Sequence, residues 1–221
     1  DKAVLIDTGT RCADLDKIVG QITGKPLEVI VTHMHPDHAG CIKYFDKVWM
    51  HRADTVLVPQ HAADYQGEFL YMEEGQVFDL GGRKLEVAWM PGHTPGSVVL
   101  LDKANGDCYS GDAFGSGEVW LQCVPMSPIA TFHESCCRME KLMKEGHIKD
   151  IWCGHYPYLK SSLPLAYIQT MIRISHRLMN GDQEGSEPYS NYFIKMPPTA
   201  RKLAEGRAMI VYDSTNIPEA R

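Results

Sequence analysis

Thr32-His33-Met34-His35-Pro36-Asp37-His38 packs three histidines and one aspartate into six residues, directly after a segment, residues 28–31, that reads as a buried strand. The histidines therefore stand at the carboxyl end of a strand, where α/β sheets present ligand sites. Imidazole and carboxylate are natural donors for zinc, iron or manganese. Isolated histidine pairs are common, but His-x-His-x-Asp-His is specific. Holding two ions takes about six or seven such donors, so the turn must be completed from elsewhere.

Three loops supply candidates: Gly92-His93-Thr94-Pro95-Gly96, Ser110-Gly111-Asp112-Ala113 and Cys153-Gly154-His155-Tyr156. Each follows an expected strand, and the glycine beside each candidate ligand lets the backbone approach closely. His51, His61, His133, His147 and His176 lack this context and read as surface or helix residues. Of these, His61 is the candidate for a lid position near a substrate.

Composition narrows the partners. Apolar residues make up 44% and charged residues 23% of the 221, and no run approaches the roughly 18 apolar residues of a membrane span. A formal charge of -6 without a basic stripe weighs against nucleic acid, so a small-molecule substrate is expected. The seven cysteines form no CxxC pair and read as mostly buried thiols of a reducing compartment. No charged-then-apolar leader follows Asp1, and a cytoplasmic location is the expectation.

Periodicity and turn residues predict one domain over residues 1–221. Expected strands cover residues 3–6, 28–31, 48–50, 77–80, 83–90, 97–102, 107–110 and 150–153, with helices over 13–22, 39–45 and 164–179. Another helix opens at an N-cap Ser127 before Pro128 and buries Ile129, Phe132, Cys136, Met139 and Met143 before Gly146 closes it. Residues 60–75, with Tyr65, Phe69 and Tyr71 among acids, read as a surface loop or lid. Residues 207–213 read as a last strand at an edge, available to complete the first sheet.

Asp7-Thr8-Gly9, the His33 to His38 motif, Gly92-His93-Thr94-Pro95-Gly96-Ser97, Gly111-Asp112 and Gly154-His155 occur in the order and approximate spacing of the metallo-β-lactamase-fold metallohydrolases. The chain resembles that superfamily over residues 3–160, leaving 161–221 as a C-terminal helix and edge strand open to a contact between copies in a homo-oligomer. The resemblance implies an α+β fold, the four-layer αββα sandwich. It also implies that His33, His35 and His93 hold one metal ion and Asp37, His38 and His155 a second, with Asp112 bridging and Asp7 bracing the ligands. Two divalent ions are the expected cofactors, with zinc first and iron or manganese open. Two cations about 3.5–4 Å apart lower the pKa of a shared water from about 15.7 toward about 7, and Asp37, the candidate catalytic residue, accepts a hydrogen bond from that nucleophile.

The bridging aspartate resembles hydroxyacylglutathione hydrolases and lactonases rather than true β-lactamases, which implies an ester, thioester or lactone substrate. Ala113-Phe114-Gly115-Ser116 departs from the Gly-Cys-Gly-Arg type segment of the glutathione enzymes, and Gly115 stands where lactonases tend to place tyrosine. Phe114, Trp120, Tyr156 and Tyr158 are candidates to line an apolar pocket, with Tyr156 the candidate oxyanion partner. Two other readings of the same fold stay open: a mononuclear iron persulfide dioxygenase and a phosphodiester hydrolase.

Overall fold

Along residues 29–31 the side chains of Val29 and Val31 enter one apolar cluster and Ile30 another, so this strand is covered on both faces. That pattern recurs and sets the layering. The computed structural model describes residues 1–192 and 194–218. The first half contains β1 (Ala3–Ile6), α1 (Leu15–Ile22), β2 (Leu27–Ile30), α2 (Pro36–Ala39), β3 (Lys47–His51), α3 (Val58–His61), β4 (Glu68–Met72), β5 (Val77–Asp79), β6 (Lys84–Trp89), β7 (Val98–Asp102) and β8 (Asp107–Gly111). The second half contains β9 (Glu118–Trp120), α4 (Ile129–Lys144), β10 (Asp150–Cys153), α5 (Tyr156–Leu159), α6 (Leu165–Met179), β11 (Glu187–Pro188), β12 (Ala200–Glu205) and β13 (Ala208–Asp213).

β1, β2, β3 and β4 lie side by side in that order, all parallel. A second sheet runs β10-β8-β7-β6-β5, antiparallel apart from the β10–β8 pair. Ile30 and Met72 from the first sheet meet Phe78, Leu85, Val87, Val98 and Leu100 from the second, forming the core between the sheets. Val29, Val48 and Met50 face short helical turns on the outer side, against Ile42, Leu57 and Ala62. On the opposite outer side Ala88, Val99 and Leu101 meet Phe132, Met139, Ile168 and Met171 of α4 and α6. The result is the four-layer αββα sandwich. β7 is buried along its length because Val98 and Leu100 serve the inner core while Val99 and Leu101 serve the helices.

Several boundaries differ from the sequence reading for physical reasons. The helix expected over residues 39–45 is instead the one-turn α2 and a 3-10 turn, Ile42–Tyr44, separated at Gly40, where a Cβ would run into Pro36 O and Gly9 O. The lid expected over 60–75 contains β4: Met72 enters the inter-sheet core while Phe69, Tyr71 and Tyr65 pack on the outer one. Its aromatics are half-buried against the outer core. Pro128, not Ser127, occupies the N-cap of α4. β13 does not complete the first sheet or stand at an edge; it lies between β12 and β9 in a further sheet, β11-β12-β13-β9. Cys41, Cys108, Cys136 and Cys153 are buried, Cys12 and Cys123 half-buried and Cys137 exposed, all as free thiols. Among the described residues no helix is long and apolar enough to cross a membrane.

Leu100 is fully buried where β7 faces the first sheet. Leu100→Ala is expected to lower the unfolding free energy of the metal-free protein by about 2–5 kcal/mol, read from denaturant titration.

Candidate metal centre

The carboxyl ends of β1, β2, β8 and β10 deliver residues 7, 32–38, 112 and 154–155 to one rim of the sandwich, and the loop after β6 adds His93. His35 caps α2 and Pro36 takes its first helical position, so the chain turns sharply and presents Asp37 and His38 on the next turn. The result is two groups. Ligand atoms of His33, His35 and His93 lie within 4.8 Å of one another, as do those of Asp37, His38, Asp112 and His155. His35 Nδ1 is 2.9 Å from His93 Nε2, and His155 Nε2 is 3.0 Å from Asp112 Oδ2 and 3.3 Å from Asp37 Oδ2. Asp112 Oδ2 also stands 3.4 Å from His38 Nε2 and 3.9 Å from His93 Nε2, so this carboxylate touches both groups.

The far sides of the rings are committed. His38 Nδ1 donates to Asp7 Oδ2 at 2.7 Å, and His93 Nδ1 donates to the carbonyl of Trp120 at 2.8 Å. His33 Nδ1 contacts Thr32 Oγ1 at 3.2 Å. These contacts fix each ring so that Nε2 faces inward, the arrangement that orients metal-binding imidazoles. His33 Nε2, His38 Nε2 and Asp112 Oδ1 are buried with no hydrogen-bond partner among the described residues. Buried polar atoms are rarely left so, and a divalent ion in each group suits the donor set. Asp7 holds the loop as well, accepting from Thr32 N at 2.7 Å and Thr32 Oγ1 at 2.9 Å. It does so in the left-handed region, φ 61, which a non-glycine residue adopts at a cost that its three contacts offset.

The sequence model of the Metallo-beta-lactamase superfamily matches residues 1–133. The chain belongs to the metallo-β-lactamase superfamily. The acyl-coenzyme A thioesterase MBLAC2 of Homo sapiens is 28% identical, the match covering 60% of this chain and 57% of that protein. The hydroxyacylglutathione hydrolase of Aeromonas salmonicida (strain A449) is 29% identical over 63% of this chain and 51% of its own. The chain thus spans little more than half the length of these curated relatives. Among solved structures, TTHA1623 in a di-iron-bound form superimposes with a TM-score of 0.56 at 28% identity, covering 74% of this chain and 84% of that one. The family protein TTHA1429 from Thermus thermophilus shares the fold, with a TM-score of 0.58 at 18% identity over 83% of this chain and 75% of its own.

Within this superfamily frame the two groups differ electrically. Burial, then repulsion from neighbouring imidazoles, holds His33 well below the usual histidine range and pushes His35 down to about 3; burial also lowers His93. Burial opposes charge on His38 too, but Asp7 and Asp112 outweigh it and raise its pKa well above the usual value. Hydrogen bonds to Asp112 and Asp37 push His155 up to about 10. The first group is therefore neutral imidazole at pH 7, and the second pairs imidazolium with carboxylate.

A cavity of about 360 Å³ adjoins the second group, lined by Ile6, Asp7, Asp37, His38, Trp152 and His155 among others. The aromatic residues expected near the metals separate. Phe114 is fully buried in the core, and Trp120 contributes its backbone carbonyl to His93. The ring of Tyr158 is exposed and 5.8 Å from His155, while that of Tyr156 leans on Trp152 at 5.8 Å. His61 is 5.8 Å from the His35 ring, at the mouth of the first group. Burial, then the charges of Asp37 and Asp112, push the Cys123 thiol up to about 11, so it is no nucleophile at neutral pH. Gly154 is required by contact: a Cβ there would meet His38 Cε1 and Asp112 Oδ1.

Asp7→Asn keeps the shape of the brace and removes its charge. The expected result is a lower pKa for His38 in the metal-free protein, followed by NMR titration, and metal retention weakened about 10- to 100-fold.

Proposed function

We propose that this chain is a binuclear metal-dependent hydrolase that cleaves an ester, thioester or lactone bond of a small molecule. The observation that carries this reading is the pair of buried donor groups whose inward atoms, His33 Nε2, His38 Nε2 and Asp112 Oδ1, lack partners among the described residues. His33, His35 and His93 would hold one ion and Asp37, His38 and His155 the other, with Asp112 shared between them. The bond type is supported by relatives named acyl-coenzyme A thioesterase and hydroxyacylglutathione hydrolase. Zinc suits the histidine-rich set, and iron is the alternative that the di-iron form of TTHA1623 supports.

When bound, two such ions supply Lewis acidity, lowering the pKa of water toward about 7 and polarising a carbonyl. The protein residues set the path of the proton. Asp37 is the candidate acceptor: its side chain is 45% exposed, and in the metal-free chain, although burial opposes its charge, the hydrogen bond with His155 and the charge on His38 keep its pKa below the usual carboxylate value. An ionised carboxylate at that place accepts a hydrogen bond from an attacking water, takes its proton and passes it to solvent. A mononuclear iron dioxygenase would leave Asp37, His38 and His155 without a role, and the net charge of -6 disfavours a polyanionic phosphodiester.

The test is a screen of zinc- and iron-loaded protein against acyl thioesters, lactones, aryl esters and phosphodiesters. Hydrolysis of an acyl substrate should disappear with chelator and return with metal, and Asp112→Ala should lower it about 10²-fold or more. Activity on phosphodiesters alone would sink the proposal. The electrical difference between the groups yields a second expectation. At pH 7 a metal ion entering the His33, His35 and His93 group displaces no proton, because those rings are already neutral. An ion entering the other group must displace the protons of His38 and His155, about two in all. Affinity for that ion therefore rises with pH through neutrality and on toward about 10, where His155 loses its proton unaided. Calorimetry of metal-free protein in buffers of different ionisation enthalpy measures the release.

A further inference from the structure

Asp54 belongs to no motif, yet its side chain is completely buried in the 3-10 turn Arg52–Leu57 that follows β3. Its Oδ2 accepts from Met34 N at 2.9 Å and from Thr94 Oγ1 at 2.9 Å, and its Oδ1 accepts from Gly96 N at 2.5 Å. The carboxylate only accepts, so Thr94 must donate to it. The oxygen of Thr94 is then left to receive the Ser97 hydroxyl proton at 2.9 Å, while Ser97 Oγ accepts from Thr94 N at 3.0 Å. Every proton in the network has one destination.

The partners matter more than their number. Met34 lies between His33 and His35, Thr94 follows His93, and Gly96 ends the same loop. A Cβ on Gly96 would run into the Asp54 carboxylate, so the loop is pressed against it. A buried carboxylate is costly unless its lone pairs are used. Here they join the two segments that carry the first histidine group, and among the described residues no cation is paired with it.

We propose that Asp54 is a positioning residue for the first metal site, clamping the His33–His35 turn to the His93 loop so that three imidazoles converge before an ion arrives. The inference rests on the reading of His33, His35 and His93 as a metal site. His35 Nδ1 and His93 Nε2 approach to 2.9 Å across the group, a spacing kept only while the backbone on both sides is held. Asp54 holds it from behind, touching neither substrate nor ion.

The test separates positioning from general support. Asp54→Asn keeps the shape but turns an amide NH₂ toward a donor that needs an acceptor. It is made in a His155→Ala background, which leaves the first group intact, and in a His93→Ala background, which leaves the second. Zinc affinity is measured against a chromophoric chelator. In the His155→Ala background Asp54→Asn is expected to weaken zinc about 10- to 100-fold, against less than about twofold in the His93→Ala background. Thr94→Val removes one of the three donors and should give a smaller loss with the same selectivity. If Asp54→Asn does not fold, Thr94→Val alone decides by the same criterion. Equal losses in both backgrounds, or none in either, would overturn the proposal. Failure of the His155→Ala protein itself to bind zinc would overturn the reading of the metal site, and the role of Asp54 with it.

Discussion

Polar side chains crowded into a buried rim lose the water that would solvate and screen them, and that costs free energy. Around His33, His35, His93, Asp37, His38, Asp112 and His155 this is the condition the whole fold must sustain. The sandwich meets it by anchoring each of these side chains to backbone that cannot yield. β7, covered on both faces, fixes the sheets to each other, and Val98 N donates across to Thr32 O at 3.0 Å, beside the histidine turn. Asp7, Thr32 and the carbonyl of Trp120 then fix individual rings. Without such anchoring the rings would rotate to make hydrogen bonds with solvent.

The two halves of the centre handle the same cost of burial differently. The second group neutralises itself, since imidazolium and carboxylate sit 3.0–3.4 Å apart around Asp112. The first group has no acid of its own, and its rings remain neutral because burial makes charge too costly there. Its shape must therefore come from hydrogen bonds to groups outside it. This explains why Thr32, Trp120 and Asp54 cluster behind the histidine triad, whereas Asp7 and Asp112 suffice for His38.

Much of this was legible from sequence because strands and ligand loops leave strong marks. His33 to His38 announces itself by density, and His93, Asp112 and His155 by a neighbouring glycine after an apolar strand. The layering came from the resemblance to the superfamily, and the unbroken apolar run Val98 to Leu101 agrees with it as a strand covered on both faces. What stayed hidden lacks a local mark. Asp54 is one acid among many, and only the folded chain reveals that its neighbours are Met34 and Gly96. β4 was obscured because its short apolar run, Phe69 to Met72, is bracketed by Glu68 and Glu73-Glu74 and lies at the edge of a sheet, as a lid segment would. β9 spans only Glu118–Trp120, too short for a period to emerge, and its service to His93 uses a backbone carbonyl that no side-chain identity encodes.

That carbonyl ties the fold's last third to its chemistry. β9 pairs with β13, which pairs with β12, so the C-terminal sheet reaches the first histidine group through the Trp120 oxygen and His93 Nδ1. Recognisable motifs stop near residue 160, and by that measure the remainder resembles an appendage free to diverge or be exchanged. The connection makes it a constraint on inheritance. Any exchange of residues 187–213 between relatives must preserve the placement of a single carbonyl oxygen, or the tautomer of His93, far away in sequence, changes with it.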